Sequence, residues 1–522
     1  MGNGKGFQTE RFRQHADRTY GRMSQTTLRR TGLEDVLRKA TERNLAVLEK
    51  EMKAVEFREL KNRYGPEGIW KEVQKRGLAD KNTKEIIVMS LGNPSAYTDY
   101  PPNKRVIECM AQLASMDEET VRGSAGYTHS FGYPPLLEKL KRVNFSNPQS
   151  VHNDPDKFKD VKVYVTAGGS YAAELAMGPA ILAPGEDTAV VHDWTYIIHL
   201  GAAYYRDAHI ESYECRDDGR PDSDSLREVL SKGYSHGHKV QAVVFTPIGN
   251  PVGAAMTRAD IIDHLNIISE AGTRKGRPVI AIIDVAYEAF RRDGKPLDPI
   301  AIAIEERIKV PVIVLDTSSK GYGTCGWRLG KLAARWPEDY FPEHREDYFT
   351  SLDNKMLPTL SVVGLPLQMA YNNFFNMLGT DPAVMEETLG FFSRRRELIN
   401  TNLVRLAEAL REIPGVYLAK YYDHAGKNAG IEPDTLSSFY LLFGFTKLGE
   451  RYGSGFNQAV DFGNFALDTP DVPIINCVPG QSFLPEKRWA KHPGLIRVTG
   501  LTNEEETAGF LKAVEAYAKN LG

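Results

Sequence analysis

From residue 85 onward, short apolar runs alternate with helix-length amphipathic stretches. VKVYVT (161–166), TAVVHD (188–193), QAVVFT (241–246), PVIAIID (278–284) and PVIVLD (311–316) are apolar at consecutive rather than alternate positions. That is the pattern of strands buried on both faces. Their spacing predicts parallel strands joined by helices in an α/β sheet, whose ligands sit beyond the carboxyl ends of the strands. After about residue 375 the pattern becomes a long helical periodicity, followed by the strands SSFYLLFGF and LIRVTG and a last helix over Glu504–Lys519. This reads as a second, smaller α+β domain. The expected layout is a helical extension over 1–84, a large domain over 85–375 whose first residues join the small domain, and a small domain over 376–522.

Charge sets the extension apart. Residues 1–84 hold 20 Lys and Arg against 12 Asp and Glu, a surplus of eight positive charges in a chain whose formal net charge is −3. Leu33, Val36, Leu37, Ala40, Leu48, Met52 and Val55 recur there at helical spacing, and Pro66 opens a second short helix with Ile69, Trp70 and Val73. No helix-turn-helix pattern accompanies the charge, so no nucleic-acid partner is expected. The longest apolar run is PVIAII (278–283), too short for a membrane span. Cys109, Cys215, Cys325 and Cys477 are scattered and form no CxxC pair, so no metal site or disulfide framework is indicated and a reducing cytoplasm is expected.

The chemistry should follow the strand ends. After VKVYVT come Gly168, Gly169 and Ser170, opening a helix whose N–H groups can hold a phosphate. After TAVVHD come Trp194 and Tyr196, flat side chains suited to a ring; after QAVVFT comes Asn250 in a turn; after PVIAII come Asp284 and Tyr287. The last run leads into LDTSSKGYGTCGWRLG, with Thr317, Ser319, Lys320 and Arg328. Gly321-x-Gly323-x-x-Gly326 has dinucleotide-loop spacing, but it lies on a late strand and Trp327, Gly330 and Pro337 interrupt the helix such a fold needs. One cofactor needs the whole ordered set: pyridoxal 5′-phosphate. Lys320 would form its Schiff base, Arg328 and the Gly168–Ser170 turn would neutralise its phosphate, Asp284 would pair its ring nitrogen, and Asn250 and Tyr287 would hold its ring oxygen.

From Met89 to Leu521 the chain resembles the fold type I PLP-dependent enzymes of the class I and II aminotransferase family. SLGNPSAY with Gly92, YTHSFGYPPLLEKL with Tyr127, NPVG, DVAY, TSSK, GWRLG and GLIRVTG stand where the family has its motifs. The resemblance implies a large PLP-binding domain with a mostly parallel sheet, and Thr317 in place of a phosphate-binding serine. It places Gly92, Asn250 and Arg497 at the substrate, with Arg497 on the α-carboxylate. It also implies a homodimer in which Tyr127 reaches the neighbouring subunit's cofactor, so that active sites are shared. Trp194 replaces a proline, Val252 a threonine, and residues 144–160 form an insertion placed beside the site. The expected activity is amino transfer from an α-amino acid. The alternatives are a PLP-dependent lyase, a β- or γ-replacement or a carbon–carbon or ring-forming enzyme on the same scaffold, and an aminotransferase-like transcriptional regulator. Lys355 is read as a solvated loop lysine rather than a side-chain anchor.

Overall fold

The computed structural model describes residues 85–522 apart from 91, 95, 96, 98, 114, 116, 184, 233–238, 358–362, 420–436, 453–457 and 493. The expected helices of residues 1–84 lie outside the described residues. In chain order the strands are β1 (Ile86–Val88), β2 (Lys162–Thr166), β3 (Asp187–His192), β4 (His209–Tyr213), β5 (Lys239–Phe245), β6 (Ile280–Asp284), β7 (Val312–Thr317), β8 (Gly330–Arg335), β9 (Val416–Leu418), β10 (Tyr440–Phe445), β11 (Ile474–Asn476), β12 (Val478–Pro479) and β13 (Ile496–Thr499).

Seven strands form the large sheet in the order β2-β8-β7-β6-β5-β3-β4. The run from β7 to β4 is parallel, and β8 is antiparallel to both of its neighbours. All five expected strands therefore point the same way, although β2 is reached only across β8. The consecutive apolar residues divide by strand period: Val312 and Val314 enter one core, Ile313 and Leu315 the other. Helices cover both faces, so neither side tolerates a polar alternation. Two strands of this sheet were not foreseen. HIESY of β4 is an edge strand, polar at three of five positions. GKLAAR of β8 buries Lys331, whose ammonium donates to the carbonyls of Leu140 and Val143 and to Asn144 Oδ1.

The second sheet, β12-β13-β10-β9, is antiparallel, and β1 pairs in parallel with β11. The helix Pro382–Glu412 joins the two regions, with Asp381 capping its start and Val384, Thr388, Phe392, Ile399, Leu403, Leu406 and Leu410 on its buried stripe. Among the described residues no helix is long and apolar enough to cross a membrane. This architecture brings the carboxyl ends of β2, β3, β5, β6 and β7 to one rim and sets β10 and β13 against it.

Candidate active site

Lys320 is placed by the end of β7. Thr317 stops the strand by accepting from Ser319 N (3.2 Å), and the chain makes one helical turn, Ser318–Gly321, that carries Lys320 inward. Beneath it, the buried carboxylate of Asp316 accepts from the backbone N–H groups of Phe145 and Thr317, both at 2.8 Å. Lys320 Nζ donates to the carbonyl of Gly92 and stands 5.9 Å from the Tyr287 ring centre. Burial works against its charge, but the Tyr440 oxygen, the Cys325 sulfur and the Tyr196 oxygen draw its pKa above the ordinary lysine range.

A cleft of about 410 Å³ opens over this amine, lined by Ser90, Gly92, Tyr196, Asn250, Tyr287, Cys325, Tyr440, Phe483 and Arg497 among others. Arg497 is buried. It donates to Asn250 Oδ1 (2.9 Å) and to the carbonyl of Ser90, and its guanidinium carbon lies 4.3 Å from the Tyr440 ring centre and 5.2 Å from that of Phe483. None of these partners is an acid. Asn250 Nδ2 reaches toward the Tyr287 hydroxyl at 3.5 Å, and burial together with Tyr440 pushes that phenol well above its ordinary pKa.

Asp284 ends β6. One carboxylate oxygen accepts from Ala286 N (3.0 Å) and the other lies 3.1 Å from His199 Nε2, while His199 Nδ1 lies 3.1 Å from Thr195 Oγ1. One oxygen thus holds the turn after the strand and the other faces His199. Tyr196 stands at the start of the helix Ile197–Tyr204 without a side-chain capping bond and meets His199 edge-on at 5.8 Å.

The remaining predicted residues other than Tyr127 cluster around the turn that leads into Lys320, outside the residues that line the cleft. The helix Gly168–Ala180 starts with no side-chain cap. Gly168 has φ +78°, and a Cβ there would meet the Arg328 guanidinium at 2.5 Å, so this residue must be glycine for the two to approach. Arg328, itself left-handed at φ +57°, donates to the carbonyls of Ala167 and Cys325, both at 3.0 Å. Thr317 Oγ1 meets Ser319 Oγ at 2.8 Å, and a Cβ on Gly169 would touch the Thr317 methyl. Ser170 lies half-buried in the same first helical turn. Tyr127 stands apart from the cleft, 88% exposed.

Three expectations change. Trp194 is buried at φ +61° against Gly480 and His492 instead of facing the cleft. The insertion at 144–160 touches the site only at its start, where the Phe145 N–H donates to Asp316 beneath Lys320; it does not line the cleft, and its Ser146–Gln149 and His152 line a separate hollow of about 700 Å³ with Leu378–Pro382, Phe392 and Arg396. Lys355 belongs to the helix Pro342–Met356 and packs over Gly178, not in a solvated loop. His199, buried in the first turn of the helix Ile197–Tyr204, is a site residue that the strand-end pattern does not single out. Ser90, Tyr440 and Phe483 carry no such signal either, because their proximity depends on the second sheet meeting the first.

The family model for aminotransferases of class I and II matches residues 84–431. A protein of Arabidopsis thaliana named probable aminotransferase is 24% identical over 340 residues, covering 65% of this chain and 67% of that one. The aspartate aminotransferase of a Bacillus species is 22% identical over 455 residues, 86% of this chain and 94% of the other. Among solved structures, an alanine aminotransferase from Pyrococcus furiosus superposes with a TM-score of 0.61 at 22% identity, covering 85% of this chain and 95% of that one. The aspartate aminotransferase of Thermus thermophilus with maleate gives 0.62 at 17% identity, with 87% and 96% covered.

Proposed function

The chain belongs to the class I and II aminotransferases, PLP-dependent enzymes of fold type I, and from that premise we propose that it moves the amino group of an α-amino acid to a 2-oxo acid at the cleft around Lys320. The observation that carries this reading is that one cleft faces both an amine, Lys320, and a buried guanidinium, Arg497, whose described contacts include no carboxylate. A buried cation without an acid costs several kcal/mol unless a ligand supplies the anion.

The residues present fit the cofactor. The uncapped helix start at Gly168–Ser170, the cradle a Cβ would fill at Gly168, the hydroxyls of Thr317 and Ser319 and the guanidinium of Arg328 would hold its phosphate. Asp284 would keep a proton on the ring nitrogen, with His199 orienting the carboxylate. Tyr287 and Asn250 would donate to the ring oxygen, and Tyr196 would line the ring. When bound, pyridoxal phosphate supplies an aldehyde that takes up amines and a ring that accepts the electron pair released at the substrate α-carbon. Lys320 Nζ would hold that aldehyde at rest and, once the substrate amine displaces it, would carry the α-proton. Arg497 would grip the α-carboxylate in a two-pronged pair and so fix which substituent of the α-carbon faces Lys320. Gly92 would bring its backbone against the substrate.

Two finer elements belong to the same reading. The protein acts as a homodimer, and the exposed Tyr127 reaches into the neighbouring subunit's site. It resides in the cytoplasm, in keeping with four free cysteines. Borohydride reduction of the purified protein followed by peptide mapping tests the core of the proposal. The expected result is a cofactor adduct on Lys320; an adduct on another lysine, or none, would overturn it.

A further inference from the structure

We propose that Tyr440 is a positioning residue that ties the carboxylate grip of Arg497 to the hydroxyl of Tyr287, its ring serving the first and its own hydroxyl the second. The inference rests on the function proposed above, because it takes Arg497 as the substrate anchor and Tyr287 as the donor to the cofactor oxygen.

Register puts Tyr440 in this position. In the antiparallel pair of β10 and β13, Leu442 stands opposite Arg497 and Tyr440 opposite Thr499. Tyr440 is two residues from Leu442, so its side chain leaves the same face as Arg497 and sits on the diagonal, within reach of a long partner. The guanidinium carbon lies over the phenol, 4.3 Å from its centre, and over the Phe483 ring at 5.2 Å. Arg497 is thus held by two aromatic faces, one amide oxygen and one carbonyl. Weak hydration of a guanidinium makes such stacking favourable in a buried site, and it leaves the edge of the fork for an anion.

The hydroxyl end has a second role. Tyr440 Oη lies 3.1 Å from Tyr287 Oη. A Tyr287 that donates its proton to the cofactor oxygen can only accept from Tyr440, so the Tyr440 hydroxyl is the donor. A donor feeding Tyr287 strengthens the bond that Tyr287 makes onward, by about 10–30% for each link of such a chain. The same hydroxyl fills the space beside Gly92, where a Cβ would come to 1.7 Å of it, and Gly92 offers its carbonyl to Lys320. Tyr440 therefore touches the groups assigned to the substrate carboxylate, the cofactor oxygen and the lysine carbonyl contact. The titratable and charged groups facing Tyr287 are Tyr440, Tyr196, Lys320 and Arg497, and Cys325 also faces Lys320. Of these, Tyr440 is the one within hydrogen-bonding distance of the Tyr287 oxygen among the described contacts.

Two variants separate the two ends of the side chain. Tyr440→Phe keeps the ring and removes the hydroxyl; Tyr440→Leu removes both. Each is read by the pH midpoint of the bound cofactor's visible band and by spectral titration with 2-methylalanine, which carries the α-amino and α-carboxylate groups but no α-hydrogen. In Tyr440→Phe the weaker donation through Tyr287 leaves the cofactor oxygen more basic, so the midpoint should rise by about half a pH unit while the dissociation constant for 2-methylalanine stays within about twofold. In Tyr440→Leu the midpoint should rise as much and the dissociation constant should weaken about tenfold, the scale of a desolvated cation–π contact. An unmoved or lowered midpoint in Tyr440→Phe overturns the hydroxyl's role. Weakened binding of 2-methylalanine in Tyr440→Phe shows a general distortion of the cleft and overturns the division of labour. Should Tyr440→Leu fail to fold, the near-isosteric Tyr440→Phe still decides the proposal by its split between the two readouts. A parent protein with no cofactor band would instead refute the function on which the inference rests.

Discussion

The site around Lys320 has two ends, the turn that leads into the lysine and the cleft that opens over it, and they are built in different ways. The end assigned to phosphate is made from chain segments that directly follow strands: Gly168–Ser170 after β2, and Thr317, Ser319 and Arg328 between β7 and β8. Its cation, Arg328, is exposed and rests on two backbone carbonyls. The end assigned to the carboxylate gathers Ser90, Asn250, Tyr440, Phe483 and Arg497 from five separate segments, and its cation is buried between two rings. Local turn geometry makes the first end. Only the meeting of two sheets makes the second, so a substitution there disturbs several partners at once.

The largest effect should come from removing the group both ends serve. Lys320→Ala is expected to lower kcat/KM about 10⁴-fold, the upper scale for a general base and amine carrier combined, and to abolish borohydride labelling. Steady-state kinetics and peptide mapping read this directly. Arg497→Ala should come next. A hydrogen-bonded charge truncated in a buried site costs about 2–5 kcal/mol, so kcat/KM for the amino acid should fall about 10²–10³-fold, mainly through KM, with pyridoxal phosphate retained after gel filtration. Arg328→Ala should do the reverse: cofactor affinity about 10–100-fold weaker, and KM for the amino acid within about threefold once cofactor is saturating. Equal loss of cofactor in both arginine variants would break the contrast between the ends.

The smallest expected effect concerns the fold around the cleft. His192 donates from Nδ1 to the Asp193 carbonyl (2.7 Å), while its Nε2 accepts from Thr246 N (3.3 Å); His264 is likewise buried. Burial holds both at about 4, below the ordinary histidine value. Folded pKa values this low mean that stability is complete above about pH 6.5 and is lost as pH falls toward 4. Burial raises Asp316 to about 6, which works in the opposite sense: its contribution is present below about pH 4 and is lost as pH rises through 6. Two histidines against one aspartate leave a net loss of about 3 kcal/mol by pH 4. Melting temperature measured from pH 7 to 4.5 should therefore fall, and the fall should be shallower in His192→Gln, with the cofactor-retention contrast between Arg328 and Arg497 variants unchanged at pH 7.

The same contrast explains what could be read in advance. Gly168, Asn250, Asp284 and Lys320 follow strand ends, and a run of buried apolar residues announces such an end in one dimension. β4 and β8 were missed because HIESY is half polar and GKLAAR hides its lysine under carbonyls that only the folded chain supplies. Arg497 was legible through GLIRVTG, but Tyr440 and Phe483 were not, since being aromatic in an apolar stretch looks the same in a core and in a cleft wall. Trp194 shows the converse error: its neighbour Tyr196 faces the cleft, while a left-handed backbone turns Trp194 toward Gly480. The insertion at 144–160 is adjacent in sequence to the YTHSFGYPPLLEKL stretch and reaches the site through Phe145, yet the path of the chain then leads it to another hollow.

The central claim is that one cleft holds cofactor at one end and amino acid at the other, with Lys320 moving a proton between them. A single-turnover half-reaction tests it most directly. Cofactor-loaded protein is mixed with whichever of the standard amino acids most perturbs its visible band, with no 2-oxo acid present. The account expects one pyridoxamine phosphate and one 2-oxo acid per site, then no further reaction until an oxo acid is added. Sustained turnover without an oxo acid, and with no pyridoxamine form, would contradict it.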